Sequence, residues 1–374
     1  MNLTTSNWWG QTIGIIGGGQ LGRMMATTAR HMGYRLIVLD PTPNAPAAQL
    51  ADDQIVAAYD DLKAVKQLAE RCDVVTYEFE NVDLEAATYL EKMGLLPQGA
   101  RSLEVTQDRE KEKQAMVDSN QPVAPFQIVQ TKEQLDRAVQ SIGYPGVLKT
   151  CRGGYDGKGQ VMLHSEADLN EASALLDSNQ RLIYEAFVQF DLEISVVFTR
   201  NRTGEIAYFP IGENVHRDHV LHTTTVPANI SSTVETKAKE AAKEIADEID
   251  VVGTFTLELF VKGEDIFVNE LAPRPHNSGH YTIEACSVSQ FEQHIRAICG
   301  LPLLPIWFHG GAVMVNLLGD NLNKYINDVS QLEKAHLHLY GKDEIKPKRK
   351  LGHLTFVHQN RDALVKELEE YKLI

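Results

Sequence analysis

The chain has 374 residues, of which 43% are hydrophobic, and its formal net charge at pH 7 is −15. This length favours several packed units over a single core, and the apolar content excludes a disordered chain. The acidic balance argues against nucleic-acid binding, which depends on cations that contact phosphates. The first ten residues lack the segments of a signal peptide, and no apolar run could cross a membrane. We therefore expect a cytoplasmic protein.

Short apolar strands alternate with helical segments through the first hundred residues. The predicted elements are strands over 12–16, 35–39 and 73–76 and helices over 21–31 and 61–70. This alternation is typical of a parallel sheet. Glu78 and Glu80 follow the last of these strands, at the carboxyl edge where open α/β sheets bind their ligands.

The pattern changes near residue 107. We predict helices over 108–119, 166–177 and 233–249 and strands over 126–129, 145–150, 160–163 and 181–187. Residues 191–227 are rich in β-branched and aromatic side chains between polar turns, which predicts several antiparallel strands. A domain boundary is therefore expected at this point.

The first glycine motif, residues 17–22, fits G-x-G-x-x-G between a strand and a helix. Asp40 ends the next strand, at about the distance expected for a carboxylate that contacts a dinucleotide ribose. By itself the motif predicts an NAD-binding site. A tight strand-to-helix turn that binds another anion, or none, requires the same glycines, so both interpretations stay open on this motif.

The second glycine motif, residues 152–160, lies between two predicted strands, whereas a Walker A loop would open a helix. Its backbone amides can surround phosphate oxygens while Lys158 supplies positive charge. The preceding strand brings Lys149, and the strand over 181–187 brings Glu185. A flexible hairpin is the simpler alternative, but these neighbours favour a phosphate-binding lid.

Two carboxylates are predicted to face each other across a hairpin. If residues 263–265 form a symmetric turn, Glu258 and Glu270 are opposed on one face of the sheet. Like charges in this arrangement are destabilising unless a cation lies between them, and Mg²⁺ accepts carboxylate oxygens together with water and phosphate. The alternative is a shifted register in which one carboxylate faces solvent. Arg274, His276 and Asn277 follow at once, as suits phosphoryl transfer.

Two other patterns could suggest a zinc site. The four cysteines are scattered without a Cys-x-x-Cys pair, which argues against zinc and against a disulfide framework. His216, His219 and His222 are spaced so that successive imidazoles of an extended chain point to opposite faces. We expect no zinc at either.

Five motifs in succession resemble the signature set of the N5-carboxyaminoimidazole ribonucleotide synthetase family. They are Gly-Gly-Gly-Gln-Leu-Gly-Arg-Met, Tyr-Glu-Phe-Glu-Asn, Gly-Gly-Tyr-Asp-Gly-Lys-Gly-Gln, Asn-Glu-Leu-Ala-Pro-Arg-Pro-His-Asn-Ser-Gly-His and Arg-Lys-Leu-Gly-His. The resemblance implies an ATP-grasp fold of α/β and α+β class. Its parts would be a Rossmann-like preATP domain with a parallel sheet (1–106), a small lid domain (107–188), a central ATP-grasp domain with the magnesium site (189–310) and a small C-terminal segment that completes the ribonucleotide site (311–374).

The resemblance also implies roles for individual residues. The nucleotide would contact Arg109, Lys149, the lid residues Gly154, Tyr155, Asp156, Gly157, Lys158, Gly159 and Gln160, the adenine hinge Glu185, Ala186, Phe187 and Val188, and also Glu193, His216, Asn269 and Glu270. Glu258 and Glu270 would hold the metal. Bicarbonate and the acceptor amine would lie among Tyr155, Asp156, Arg274, His276 and Asn277, and the ribonucleotide would contact Gln20, Leu21, Glu80, Lys342, Arg349 and Lys350.

The implied reaction belongs to purine biosynthesis. ATP, bicarbonate and 5-aminoimidazole ribonucleotide would give ADP, phosphate and the N5-carbamate through carboxyphosphate, with Mg²⁺ or Mn²⁺, in a homodimer. One alternative is another ATP-grasp ligase, such as the formate-dependent glycinamide ribonucleotide transformylase, although Tyr155-Asp156 in the lid argues against it. An NAD-dependent dehydrogenase would leave the second glycine loop unexplained. A non-catalytic module would bind ATP without turnover.

Overall fold

The structure, a computed structural model, describes residues 10–154, 158–177, 180–326, 333–370 and 374. The predicted site residues Tyr155, Asp156 and Gly157 lie outside the described residues. Among the helices that the structure describes, none is long and apolar enough to cross a membrane.

The N-terminal part of the chain forms a four-stranded parallel sheet. Its strands are β1 (Thr12–Ile16), β2 (Arg35–Leu39), β3 (Asp53–Ile55) and β4 (Val74–Tyr77), in the order β3-β2-β1-β4. Its helices are α1 (Gln20–His31), α2 (Leu62–Arg71), α3 (Leu84–Lys92) and α4 (Arg101–Thr106). Strands β1, β2 and β4 read as nearly continuous apolar runs because both of their faces are buried, whereas the edge strand β3 is short and polar. The first glycine loop, Asp40 and Glu78 therefore meet at the carboxyl edge.

A second, antiparallel sheet is called the lid sheet here. It contains β5 (Phe126–Val129), β6 (Gly146–Thr150), β7 (Gln160–Leu163) and β8 (Leu182–Ala186), in the order β5-β8-β6-β7. Helices α6 (Lys132–Ile142) and α7 (Leu169–Leu176) pack on it, whereas α5 (Arg109–Asp118), which precedes it in the chain, packs against the core of the central sheet. The second glycine loop joins β6 to β7, so Lys149 and Gln160 are paired at its base.

Over the described ranges, the central sheet has nine strands. They are β9 (Leu192–Arg200), β10 (Ile206–Tyr208), β11 (Gly212–Arg217), β12 (Val220–Val226), β13 (Gly253–Lys262), β14 (Asp265–Ala272), β15 (Gly311–Leu318), β16 (Ala335–Leu339) and β17 (Lys350–His358). The order is β14-β13-β9-β11-β12-β15-β17-β16, with β10 paired to β9. Its helices are α8 (Ser232–Glu248), α9 (Thr282–Ala285), α10 (Gln290–Ile298), α11 (Leu322–Ile326) and α12 (Arg361–Glu370). Because β15 pairs with β12, strands of the C-terminal segment extend this sheet. The boundaries of the four predicted domains stay a prediction.

Helix α10 connects the parallel sheet with the central sheet. Its apolar face, which includes Ile295, is buried against α1, and such a side chain contributes about 1.5–3 kcal/mol of burial free energy. On the same helix, His294 Nδ1 accepts a hydrogen bond from the Thr254 amide at 3.0 Å, and its Nε2 lies 2.8 Å from Thr76 Oγ1. The carboxyl edge of the parallel sheet is thereby held beside β13, the strand that carries Glu258.

Candidate active site

One cavity of about 460 Å³ lies between the lid sheet and the central sheet. Most of the residues predicted for the site line it. They are Glu80, Arg109, Lys149, Gly154, Lys158, Gln160, Glu185, Ala186, Phe187, Val188, Glu193, His216, Glu258, Asn269, Glu270, Arg274, His276, Asn277 and Lys350. Residues separated by more than 250 positions in sequence therefore share one cavity.

Positive charge gathers where the lid sheet meets α5. Lys149 Nζ donates a hydrogen bond to Glu185 Oε2 at 2.8 Å, and Lys113 Nζ lies 3.8 Å from Glu185 Oε1. Burial raises the pKa of Glu185, but the two lysines outweigh burial and hold the pKa below its ordinary value. Arg109 opens α5, with Nη1 3.9 Å from Glu270 Oε2. Arg109 and Lys149, which line the cavity, form a wall suited to phosphate oxygens, and Lys113 lies buried behind it.

The opposed carboxylates arise from a bulge. Strands β13 and β14 are joined by a two-residue turn, Gly263-Glu264, so the predicted three-residue turn is wrong. A regular hairpin with this short turn would pair Glu258 with Asn269. The register shifts immediately after Glu258, which therefore pairs with Glu270 as predicted.

The same bulge places two successive residues on one face. Asn269 and Glu270 both line the cavity, whereas Val268 before them and Leu271 after them pack into the hydrophobic core. A regular strand would alternate its side chains, and an extra residue re-aims them. The cavity thus gains an amide and a carboxylate from adjacent positions.

The carboxylates destabilise one another when no cation is present. Burial, with the charge of Glu270 second, raises the pKa of Glu258 to about 7 and that of the neighbouring Glu112 to about 8. Within the described ranges, no group of three or more His, Cys, Asp or Glu side chains is arranged to hold a metal. Magnesium needs few protein ligands, because water and substrate phosphates complete its shell. The Glu258–Glu270 pair fits that ion.

A second carboxylate contact lies farther along the cavity. His216 Nδ1 and Glu193 Oε2 are 2.5 Å apart. Burial lowers the pKa of His216, but the hydrogen bond to Glu193 and the charge of Glu258 outweigh it and raise the pKa above its ordinary value. The pair offers an acceptor and a donor to the cavity.

A polar corner follows β14. Arg274 Nε donates a hydrogen bond to Glu80 Oε2 at 2.6 Å, and His276 Nε2 lies 3.6 Å from Glu258 Oε1. Burial and the charge of Arg274 lower the pKa of His276 well below its ordinary value, so the ring is neutral. Both polar atoms of the Asn277 amide are buried and make no hydrogen bond with any described residue. Such orphaned groups are costly unless a ligand contacts them.

Three domain families match the chain in succession. They are the ribonucleotide synthetase preATP-grasp domain over residues 10–107, the ATP-grasp domain over 114–291 and the phosphoribosylaminoimidazole carboxylase C-terminal domain over 312–367. The N5-carboxyaminoimidazole ribonucleotide synthase of Bacillus subtilis (strain 168) is 48% identical over 360 residues, which cover 96% of this chain and 94% of the relative. The chain belongs to the N5-carboxyaminoimidazole ribonucleotide synthase family.

Solved structures of this synthase family have the same fold. The Staphylococcus aureus enzyme complexed with ADP is 43% identical and superposes with a TM-score of 0.93 over 97% of both chains. The Aspergillus clavatus enzyme in complex with ADP and 5-aminoimidazole ribonucleotide is 30% identical, with a TM-score of 0.90 over 97% of this chain and 98% of the other. The predicted ATP-grasp fold is therefore confirmed.

In this synthase-family chain the first glycine loop is filled by its own carboxylates. Glu78 accepts hydrogen bonds from the amides of Gly19 and Gly22, the second at 2.7 Å. Asp40 accepts from Gly18 N and from the Tyr59 hydroxyl, each at 2.7 Å. A Cβ atom on Gly19 would lie 2.5 Å from Glu78 Oε1, so glycine is needed for this close approach. The interpretation of Asp40 as a dinucleotide ligand is wrong.

The residues predicted for the ribonucleotide lie partly outside the main cavity. Gln20 begins α1, and Leu21 is buried behind it. Lys342 Nζ donates to Lys350 O at 2.8 Å, and Arg349 Nη1 donates to Glu344 O at 3.1 Å. Of the six residues predicted for the ribonucleotide, Glu80 and Lys350 line the main cavity.

Sequence reasoning missed several residues of the site. Phe190 and Phe260 line the cavity as stacked rings with centroids 4.6 Å apart. Phe260 could have been found, because it lies two residues after Glu258 on the same strand face. The opposite-face prediction is wrong for His216 and His219, since a turn with positive φ at 218 and 219 brings both to the cavity. Lys113, although buried, carries no local signal in the sequence.

Proposed function

We propose that the chain catalyses the ATP-dependent carboxylation of 5-aminoimidazole ribonucleotide by bicarbonate. The products would be N5-carboxyaminoimidazole ribonucleotide, ADP and phosphate. One observation carries the proposal: a single cavity combines a cationic wall, an opposed carboxylate pair and a buried amide that bonds to no residue in the described part of the chain. Family relatives crystallised with ADP, and with ADP and 5-aminoimidazole ribonucleotide, support it.

The nucleotide would occupy the side of the cavity formed by the lid sheet. Residues 185–188 would border adenine, Glu193 would accept hydrogen bonds from the ribose hydroxyls with His216 beside it, and Arg109, Lys149 and Lys158 would contact phosphates. Glu185 serves this arrangement indirectly, because its hydrogen bond fixes Lys149 Nζ. A cation already in position needs no reorganisation as charge moves during phosphoryl transfer.

Glu258 and Glu270 would hold Mg²⁺ or Mn²⁺ with Asn269 adjacent. When bound, the ion would neutralise charge on the transferring phosphoryl group. The chain's own contribution is geometric: the bulge holds two opposed carboxylates, and Arg109 lies beside one of them.

The acceptor side would be formed by Arg274, His276 and Asn277. Bicarbonate would take the γ-phosphoryl group of ATP to give carboxyphosphate, and the amine of the ribonucleotide would attack its carbonyl carbon as phosphate leaves. Arg274 would offset the charge of two reacting anions, and Asn277 would bind an oxygen with its otherwise unbonded amide. Closure of residues 154–160 would exclude water, which would otherwise consume carboxyphosphate.

The ribonucleotide would extend from this corner toward the parallel sheet. Glu80, which Arg274 holds in place, would face the sugar with Gln20 and Leu21 nearby. Lys342, Arg349 and Lys350 would neutralise the phosphate.

The deciding experiment is phosphate release from Mg-ATP and bicarbonate, with and without 5-aminoimidazole ribonucleotide. The expected result is strong stimulation by this acceptor. Formate with glycinamide ribonucleotide is the control pair: stimulation by that pair alone would transfer the activity to another ATP-grasp ligase. ATP binding without turnover under either condition would contradict a catalytic function.

We further propose a cytoplasmic homodimer that binds small molecules and no nucleic acid. The net charge of −15 supports the last point. Light scattering after size exclusion would give the oligomeric state, and cell fractionation the location. A monomer, or a membrane-bound fraction, would contradict the corresponding part.

A further inference from the structure

Strand β14 is an edge of the central sheet, because it pairs only with β13 among the strands that the structure describes. Its outward backbone groups need partners from elsewhere, since unbonded amides and carbonyls are costly when buried. The requirement is greatest at the bulge, where the regular ladder is interrupted. This bulge gives both Asn269 and Glu270 their direction toward the cavity.

Two neighbouring side chains of α5 supply most of these partners. Lys113 Nζ donates to Asn269 O at 3.0 Å and lies 3.5 Å from Val268 O. Glu112 Oε1 accepts from the Leu271 amide at 2.7 Å. A backbone bond from Val268 N to Pro122 O at 2.8 Å completes the set. The bulge is thus bonded on its outer side from residue 268 to residue 271.

Both side chains are buried and point toward the backbone of β14. Glu112 is 2% exposed and Lys113 is 1% exposed, and neither lines the cavity. Lys113 also lies 3.8 Å from Glu185, the partner of Lys149. Lys113 therefore links the bulge of the β13–β14 hairpin to Glu185 on β8, and through Glu185 to Lys149, the lysine proposed to contact phosphate.

We infer that Glu112 and Lys113 are positioning residues, which fix the β14 bulge so that Glu258, Asn269 and Glu270 face the metal together. The inference rests on the proposed function for the identity of the bound metal-nucleotide. It assigns no direct contact with substrate to either residue. Loss of the bonds from Glu112 and Lys113 to β14 should let the short hairpin relax toward its regular register, in which Glu258 opposes Asn269.

The test compares native protein with Lys113→Met, which keeps the side-chain length and removes the donor. Mn²⁺ binding to the ADP-bound protein, followed by electron paramagnetic resonance, should weaken about tenfold, the usual effect of losing one oriented ligand's support. Hydrogen exchange at the amides of residues 268–271 should accelerate in the ligand-free protein. ADP affinity in the presence of EDTA should change far less, because the adenine hinge stays in place.

Lys111→Met is the matched control. Lys111 lies on the same helix, and its partner is Glu104, away from β14. This variant should match native protein in Mn²⁺ affinity and in hydrogen exchange at residues 268–271. Lys113→Arg, which keeps a cation and its N–H donors, should recover most of the Mn²⁺ affinity; a purely space-filling role would be restored by methionine as well. Native Mn²⁺ affinity and native exchange in Lys113→Met would overturn the inference.

If Lys113→Met does not fold, Glu112 provides the second test. Glu112→Gln keeps an oxygen that accepts from the Leu271 amide, whereas Glu112→Leu does not. Faster exchange and weaker Mn²⁺ binding in the leucine variant alone would support the inference, and equal behaviour of the two variants would overturn it. These readouts use Mn²⁺ and ADP only, so a failure of the proposed carboxylation would appear separately, as binding without turnover.

Discussion

The two glycine-rich loops have similar composition but opposite surroundings. The loop over residues 17–22 turns from β1 into α1, and its amides are bonded to the internal carboxylate of Glu78. The loop over residues 152–160 joins two antiparallel strands, and its residues Gly154 and Lys158 face the cavity beside Lys149. One loop is thus satisfied by the protein, and the other is available to a ligand.

A glycine motif therefore specifies backbone freedom but not which anion the freed amides bind. A strand-to-helix turn attracts any anion, and the nearest anion of the first loop belongs to the chain itself. A dinucleotide would have to displace Glu78, whereas a phosphate at the second loop meets cations.

Glu270→Gln, in the cavity that the second glycine loop borders, should have the largest effect on activity. Loss of one metal ligand should lower phosphate release about 10²- to 10³-fold, equivalent to roughly 3–4 kcal/mol of transition-state stabilisation. Phosphate release and circular dichroism would be measured together. Glu264→Gln, in the exposed turn of the same hairpin, should behave as native. Full activity in the Glu270 variant would contradict the metal assignment.

Glu78→Gln tests the first loop. One glycine amide would then face the NH₂ group of the glutamine, and the charged acceptor would be lost, so unfolding free energy should fall by about 1–3 kcal/mol. Chemical denaturation would measure the loss, and ATP affinity should stay at the native value. Glu85→Gln, exposed at the start of α3, is the control. A stability equal to native would mean that the loop does not need its internal anion.

Arg349→Ala tests where the ribonucleotide phosphate binds. Since Glu78 occupies amides of the first loop, the phosphate should depend on side-chain cations instead. Loss of one charge-assisted contact should raise the KM for 5-aminoimidazole ribonucleotide about tenfold, or roughly 1.4 kcal/mol. The KM for ATP should change little in steady-state assays. Equal effects on both substrates would place Arg349 outside the ribonucleotide site.

The smallest expected effect is a pH dependence of ribonucleotide binding that arises from Lys342. Burial, and then the charge of Arg349, lowers the pKa of Lys342 to about 8. The protonated amine attracts phosphate, so affinity for the ribonucleotide should be highest well below pH 8 and fall severalfold in total as the amine loses its proton above it. Initial rates between pH 7 and pH 9.5 would show the step as a rising KM. The step should vanish in Lys342→Met, and its persistence there would assign it to another group.

Much of the fold was predictable because the relevant signals are local. Strand β1, helix α1 and strand β2 follow from short apolar runs and a helical period, and their observed bounds lie within one residue of the prediction. The cations around the second glycine loop and the polar corner after β14 were predicted from motifs whose members are close together in sequence, and these residues line the cavity. The hinge over residues 185–188 came from the family resemblance and stays a prediction. Helix α6 and strand β3 were not predicted, since neither carries a strong motif.

The sequence by itself determined the order of elements, the glycine turns and the identities of the charged residues, because these depend on short-range pattern and chemistry. Tertiary structure alone decided that Glu78 fills the first loop, that a bulge opposes Glu258 to Glu270, and that Lys113 clamps this bulge. The Glu78–Gly22 contact spans 56 positions and the Lys113–Asn269 contact spans 156, and the register of the Glu258–Glu270 pair depends on the bulge rather than on the turn between them. Their geometry depends on how the three sheets pack, and no local period encodes that packing.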